Sequence, residues 1–407
     1  MNGSVQIHSE VDTGIAEIST NVEDEAFILR EDTPAVAMAR QREVLWLREV
    51  ILNVAPTCRL VQREPGNALA RFLFSSMLTR PRYQHEDPLL PRDESLDKSL
   101  CSELMKSGLD EVESHVVCKT LCAASREAAV RVEAVRQNEA AAMTSSASFA
   151  SLCDTVHLVE LEGSNRLMWQ NEVAVISTPH LYTLRRLYAT HAVDDRDKSK
   201  FNKRLFCCLK RYDALGGPTY QCSVTSTSFS ALEVEFGDAK ECFASPFNHN
   251  ATIYWSAFPD CDRFFGSQGD FFLSMDSRLV QEGGFFYANP PFVEEYLERL
   301  HESVKLVMEL PVAVTFVVVV PTWTDTGFYA WMQHSSYTQM HLVLCAGEHE
   351  YVDGRQHVDT TRWRKRHVAP FSSSVFILQN KQSSAETPID DEVRRRVLVS
   401  FARRRNV

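Results

Sequence analysis

Apolar residues recur along this chain with two different periods, and the change from one to the other falls near residue 239. Before it, helical spacing dominates. Val36, Ala39, Val44, Leu45, Leu47 and Ile51 predict a first helix over 35–53, with Pro56 just past its end. The stretch 68–91 holds three prolines and predicts a short helix followed by a loop. Residues 95–146 are rich in Ala, Glu, Leu and Val with almost no Gly or Pro, a composition that suits two helices packed as a hairpin. Val156, Leu158, Val159 and Leu161, then Leu167, Trp169, Val173 and Val175, alternate well enough to predict a β-hairpin over 155–176 turning at Glu162-Gly163-Ser164-Asn165. Pro179 and His180 open a helix through Tyr188. A further helix over 201–215 is stopped by Gly216-Gly217-Pro218, and a short one over 226–236 has Gly237 as its C-cap.

From Ala239 onward short strands and helices alternate. The aromatic run Phe285-Phe286-Tyr287-Ala288 reads as a strand end. Val293, Tyr296, Leu297, Leu300, Val304 and Val307 then follow helical spacing until Pro311, and Val312 to Val320 reads as a fully buried strand. Strand, loop, helix and buried strand make an α/β crossover unit. Later strands are predicted at 341–345 and 374–379. The expected organisation is a disordered segment over 1–25, a mostly helical domain over 26–237, an α/β domain over 238–382 and a basic tail over 383–407.

Composition narrows the class. A chain of 407 residues with 44% hydrophobic residues has the make-up of a soluble globular protein of two domains. The longest apolar run, Val312 to Val320, is far short of the roughly 20 residues that a spanning helix needs, and the polar, acidic start lacks the pattern of a secretory signal. An intracellular protein is therefore expected, in the nucleus first and the cytoplasm as the alternative. The 11 cysteines are irregularly spaced, and Cys118 and Cys122 lack the second ligand pair of a zinc site, so no metal is expected. A net charge of −11 argues against indiscriminate nucleic-acid binding. Basic residues nevertheless cluster at Arg185-Arg186, 198–211, 362–366 and 394–405, a pattern that suits short, local contact with phosphates.

Asn289-Pro290-Pro291-Phe292, between the aromatic strand and the helix, carries the most chemical information. Its residues suit methyl transfer to an exocyclic amine, whose lone pair is delocalised into the ring. An amide oxygen and a backbone carbonyl accept the two N–H bonds while the nitrogen rehybridises, and Phe292 stacks on the ring. The bland alternative is a proline-rigidified turn.

Three segments in order, 241–248 (Glu-Cys-Phe-Ala-Ser-Pro-Phe-Asn), 256–269 (Ser-Ala-Phe-Pro-Asp-Cys-Asp-Arg-Phe-Phe-Gly-Ser-Gln-Gly) and 289–292, together resemble the catalytic core of the phosphorylated CTD-interacting factor 1 family. Weaker similarity extends to Leu184–Tyr188, 201–213 and 348–351. The resemblance implies a class I, Rossmann-like methyltransferase domain behind a mostly helical one, S-adenosylmethionine as cofactor, and as substrate the adenosine next to the 7-methylguanosine cap of messenger RNA. Asn289, Pro290, Pro291 and Phe292 are then the catalytic set. Glu241, Ala244, Ser245, Pro246, Asn248, Asp262, Phe265, Gly266 and Ser267 are the expected cofactor contacts, with Asp262 preferred over Asp260 for the ribose. Arg185, Arg186 and Arg364 are candidates for the cap triphosphate. Trp323, Glu348, His349, Glu350 and Tyr351 are candidates for the cap guanine or the substrate, alongside Trp363. No general base is required, because the amine becomes acidic only as the methyl arrives.

The chain departs from that family twice. The family's WW module needs two closely spaced tryptophans, whereas here only Trp46 precedes Trp169, so docking to the phosphorylated polymerase tail is not supported. Pro321-Thr322-Trp323-Thr324-Asp325 replaces a Pro-Glu-Trp-Arg-Glu-like segment. Two other readings compete: an N6-adenine methyltransferase of internal RNA or DNA adenines, and a catalytically silent RNA-binding scaffold. Whether one or two methyls are added to the same nitrogen stays open.

Overall fold

The computed structural model describes residues 31–63, 65–79, 87–91, 98–145, 155–193, 198–216, 218–358 and 366–403. The segment 1–25, Trp363, Arg364, and the end of the basic tail at 404–407 lie outside the described residues.

Five helices come first: α1 (Pro34–Val54), α2 (Arg59–Arg63), α3 (Pro65–Thr79), α4 (Lys98–Lys106) and the long α5 (Glu111–Ser145). Helix α1 starts at a Thr33 N-cap, whose side chain accepts the Val36 N–H, with Pro34 at the first helical position where its missing N–H costs nothing. Next comes a small antiparallel sheet of β1 (His157–Val159), β2 (Ser164–Trp169) and β3 (Glu172–Ser177). The expected turn over 162–165 falls at the β1–β2 connection and runs into the start of β2. A second, two-residue turn at Gln170-Asn171 adds a third strand, with Gln170 at φ 52°. The apolar alternation over 155–176 spans both turns, which is why it reads as one hairpin.

Helices α6 (Thr178–His191), α7 (Lys198–Leu215) and α8 (Ser226–Phe236) lead to the main sheet. That sheet contains β5 (Ala239–Ala244), β6 (Ile253–Ser256), β7 (Gly284–Ala288), β8 (Val314–Pro321), β9 (Thr338–Leu344) and β12 (Ser373–Gln379), in the order β6-β5-β7-β8-β12-β9. Strands β6, β5, β7 and β8 are parallel, and β12 runs antiparallel between β8 and β9. The architecture is mixed α/β on a mostly parallel sheet. All eight residues of β8 are buried, as expected of a valine run at the centre of a sheet covered on both faces.

Between and after these strands lie α9 (Pro259–Asp262), α10 (Arg278–Gln281), α11 (Glu294–Met308), α12 (Gly327–His334), α13 (Lys381–Glu386) and α14 (Asp391–Phe401). The region read from sequence as a basic tail thus forms a capped helix. Asp390 accepts the Val393 N–H, and Val397 and Phe401 are buried against the sheet, while the arginines of α14 stay on its outer side. A third small sheet pairs β10 (Glu350–Val352) with β4 (Ser223–Val224) and β11 (Arg366–Val368). One hydrophobic core runs continuously from the first helices into one face of the main sheet; a second fills the other face.

Candidate active site

Strand β5 sends its crossover to β6 on one side and its other neighbour is β7, so the order reverses between β5 and β7. Open α/β sheets bind ligands at such a point, beyond the carboxyl ends of the strands. A cavity of about 640 Å³, counted to its open mouth, lies there. Ala244 and Ser245 at the end of β5, Ser256 and Ala257 at the end of β6, and Asn289 and Pro291 after β7 line it. Tyr212 of α7 and Phe74 of α3 also line it, so helices ahead of the sheet complete the wall.

A second cavity, about 570 Å³ to its mouth, opens on the other side of Asn289. Pro290, Phe292, Tyr351 and residues 367–371 form it, and Tyr220, Cys222 and Asn289 border both spaces. Phe292 meets Tyr351 and Phe371 edge-on, with ring centroids 6.1 and 5.8 Å apart, which leaves a slot with aromatic walls. Between the two cavities, Asn289 Oδ1 is buried and accepts a hydrogen bond from no described residue. Buried polar atoms are nearly always satisfied, so an acceptor left open at the wall between two cavities points to a donor supplied by a ligand. The Pro291 carbonyl already accepts the Val293 N–H (2.8 Å).

The structure brings Asn289, Pro290, Pro291, Phe292, Ala244, Ser245, Asn248 and Tyr351 to these two cavities. The Asn248 amide is committed to its turn: Oδ1 accepts from the Ser245 N–H (2.7 Å) and hydroxyl (2.8 Å), and Nδ2 donates to the Gln221 carbonyl (3.0 Å). Pro246 is outside the lining. Glu241 points to the opposite face of the sheet, where it accepts the N–H groups of Asn250 (2.7 Å) and Ala251 (3.1 Å). Burial pushes its carboxyl up to about 7 against those two bonds. It is a brace for the loop after β5, not a cavity contact.

Asp262, Phe265, Gly266 and Ser267 stand behind the wall. Phe265 packs in the core near Tyr188 (6.0 Å). Gly266 sits at φ 99°, a left-handed conformation that strains any other residue, and a Cβ there would also push against the His191 ring (2.8 Å from Nε2). The Ser267 hydroxyl is 2.6 Å from that of Ser256. The acidic residue that does line the first cavity is Asp270, which the sequence reading passed over. It sits one position beyond the second matching segment, whose last residue, Gly269, accepts the Ser256 N–H through its carbonyl (2.8 Å) and so carries Asp270 to the strand ends.

The remaining substrate candidates disperse. Arg185 pairs with Glu160, and neither it nor Arg186 lines either cavity. Trp323 follows β8 and packs against the core. His349 is buried with Nε2 2.8 Å from the Ser373 hydroxyl and Nδ1 3.1 Å from the Cys345 carbonyl, a structural histidine that burial keeps neutral. Glu348 is exposed, and Glu350 is paired with Arg403 (3.1 Å). His249 likewise serves the fold, stacked on Tyr254 at 4.4 Å with Nδ1 2.9 Å from the Ala251 carbonyl.

Comparison with known proteins locates this site in a recognised sequence. Residues 183–354 match the family model described as phosphorylated CTD interacting factor 1 WW domain. The matched stretch runs from α6 to just past β10 and contains Ser245, Asp270 and Asn289. The family model is itself described as a WW domain, which bears weakly against the expected absence of that module, although the match lies downstream of Trp46 and Trp169. Two curated relatives are similar. The human mRNA (2'-O-methyladenosine-N(6)-)-methyltransferase is 32% identical over 240 residues, 56% of this chain and 33% of the relative. The mouse protein of the same name is 32% identical over 234 residues, 54% of this chain and 32% of the relative. The chain thus spans about a third of the length of these relatives.

Proposed function

We propose that this chain, related to the phosphorylated CTD interacting factor 1 family through residues 183–354, transfers a methyl group from S-adenosylmethionine to N6 of the adenosine next to the cap of mRNA. The relatives' names give the methyl transfer and the adenosine nitrogen. The observation that carries the reading onto this chain is the unpartnered Asn289 Oδ1 between a cavity beyond the parallel strand ends and an aromatic slot.

S-adenosylmethionine, when bound, supplies an electrophilic methyl and leaves as a neutral thioether. Its fit to the first cavity rests on the apolar wall of Phe243, Ala257 and Phe271, with Asp270 as the acceptor for ribose hydroxyls. The second cavity takes the adenine, with Phe292 against the ring and N6 turned toward Asn289. Asn289 Oδ1 and the Pro290 carbonyl accept the two N6–H bonds and draw the lone pair out of conjugation, so that the nitrogen pyramidalises toward the methyl. Once the N–C bond has formed, the nitrogen carries a positive charge and its proton leaves to water. The two acceptors stabilise that charge as it develops, which is differential binding of the transition state. Residues 238–382 would form the methyltransferase unit, with the helices of 26–237 closing the cofactor side.

The test is a product assay with Asn289→Ala. The wild type should yield N6-methyladenosine at the first transcribed position, with mass spectrometry reporting one or two methyls. The variant should lose about 10²–10³-fold in kcat, the scale of removing one oriented hydrogen-bonding group at a developing charge, while binding S-adenosylmethionine normally. Loss of RNA binding with no wild-type turnover to begin with would instead favour the scaffold.

A further inference from the structure

Both carboxylates of α9 turn away from the cofactor cavity and toward α7. Asp262 is fully buried, and its Oδ2 accepts the Tyr212 hydroxyl at 2.6 Å. Its Oδ1 accepts the thiols of Cys208 (3.4 Å) and Cys261 (3.3 Å), and the Ser256 hydroxyl also donates to this carboxylate. Tyr212 and Ser256 are themselves cavity-lining residues. The Tyr212 ring is held edge-on between Phe247 (5.4 Å) of the loop after β5 and Phe258 (5.2 Å) of the loop after β6. One carboxylate therefore fixes a hydroxyl on each side of the cavity wall. Asp260 meets Arg211 on the same helix, at 3.1 and 2.6 Å.

We infer that Asp262 is a positioning residue for the cofactor: it orients the Tyr212 and Ser256 hydroxyls, and through Tyr212 it makes α7 part of the binding wall. The inference rests on the methyl-transfer reading. A direct ribose contact is ruled out by the burial of Asp262 behind that wall. A metal at Cys208, Cys261 and Asp262 is disfavoured because burial pushes the Cys208 thiol up to about 12 and that of Cys261 well above its usual value. Both then act as S–H donors to the carboxylate.

The titration of this group gives the test. Cys208, Arg211 and Tyr212 of α7, Tyr254 and Ser256 of β6, Ser267, and the neighbouring Asp260 and Cys261 face it. Burial dominates and pushes Asp262 up to about 6, against the hydrogen bonds from Tyr212, Ser256 and Cys261. Binding of S-adenosylmethionine to the full chain should then weaken as pH falls through this range, followed by calorimetry from pH 5 to 8.

Asp262→Asn should remove that acid limb and raise Kd about tenfold at pH 8, the scale of one hydrogen bond to a charged group. Tyr212→Phe removes a bond that favours the carboxylate, so its acid limb should move to higher pH. An ionised buried carboxylate opposes folding, since the native state binds the proton more tightly than the unfolded chain does between the two pKa values. Asp262→Asn should therefore melt at the same or a higher temperature at pH 8 despite its weaker binding. A merely structural brace predicts the opposite: lower melting temperatures and an acid limb that stays in place in Tyr212→Phe, and that result overturns the inference. Should Asp262→Asn fail to fold, the direction of the Tyr212→Phe shift decides. Failure of the wild type to bind S-adenosylmethionine at any pH would sink the methyl-transfer reading instead.

Discussion

Replacing Arg211 with Met should cost this protein about 3–5 kcal/mol, because the guanidinium belongs to a largely buried set of arginines and aspartates whose charges offset one another. Arg211 is 0% exposed and pairs with Asp32 and Asp260, at 2.6 Å each. Asp32 is also held by Arg40 and by Arg136 (3.1 Å), and Arg40 reaches Asp87 (2.8 Å). Among the described residues, three arginines, Arg40 of α1, Arg136 of α5 and Arg211 of α7, thus face three aspartates, Asp32 just ahead of α1, Asp87 ahead of α4 and Asp260 of α9. Burial alone would push Asp32 up, but the Arg40 and Arg211 guanidiniums more than offset it and hold the carboxyl well below its usual range. Arg211→Met leaves Asp260 and Asp32 buried with one countercharge removed, which is the expensive way to break such a set. Arg211→Met combined with Asp260→Leu restores the balance, two arginines against two aspartates, and should recover at least about 2 kcal/mol of the loss. Urea unfolding of the wild type, both single variants and the double variant, followed by tryptophan fluorescence, gives the coupling directly. A loss below about 1 kcal/mol in Arg211→Met, or strict additivity in the double variant, would refute the view that these charges act as one set.

Other consequences are open to direct measurement. Burial pushes the Glu241 carboxyl up to about 7 in the folded chain from an ordinary value of 4.5, so the native state binds its proton more tightly and its contribution to stability falls as pH rises from 4.5 through 7. Wild type should therefore lose up to about 3 kcal/mol relative to Glu241→Gln between pH 4 and pH 8; a difference between the two proteins that does not change with pH would contradict this. Asp270→Asn should raise the Kd for S-adenosylmethionine about tenfold with little change in kcat, whereas an unchanged Kd would remove Asp270 from the ribose site. Phe292→Ala should raise the KM for RNA and lower kcat, leaving cofactor binding intact; normal RNA kinetics would show that the aromatic slot is not the adenine site.

What could be read from the sequence was whatever a local pattern encodes. The valine run of β8, the helix that follows Asn289 and the strand that precedes it are each fixed by periodicity within about a dozen residues. Strand positions place Asn289 at a carboxyl end, and its motif then lands beside the cavity. Orientation across a strand or loop was not legible in the same way. Glu241 and Cys242 are neighbours in β5, yet one faces the second core and the other the cavity, because successive side chains alternate across a sheet. Asp262 and Asp270 are both acids near β6; side-chain bonds to Tyr212 and Cys208 hold the first behind the wall, and the backbone bond from Ser256 to Gly269 carries the second to the cavity. The six-charge set joins positions as far apart as 32 and 260, and no spacing rule connects them. The α14 helix was masked by its own composition, since a basic outer face hides the two apolar residues, Val397 and Phe401, that anchor it.

The central claim is tested most directly by incubating the chain with labelled S-adenosylmethionine and four short RNAs, capped or uncapped, beginning with A or with G. The account predicts label only in the capped RNA that begins with A, on N6 of its first nucleotide. Equal labelling of uncapped RNA, or label at internal adenines, would contradict the cap-adenosine assignment, and no transfer to any of the four would contradict methyl transfer itself.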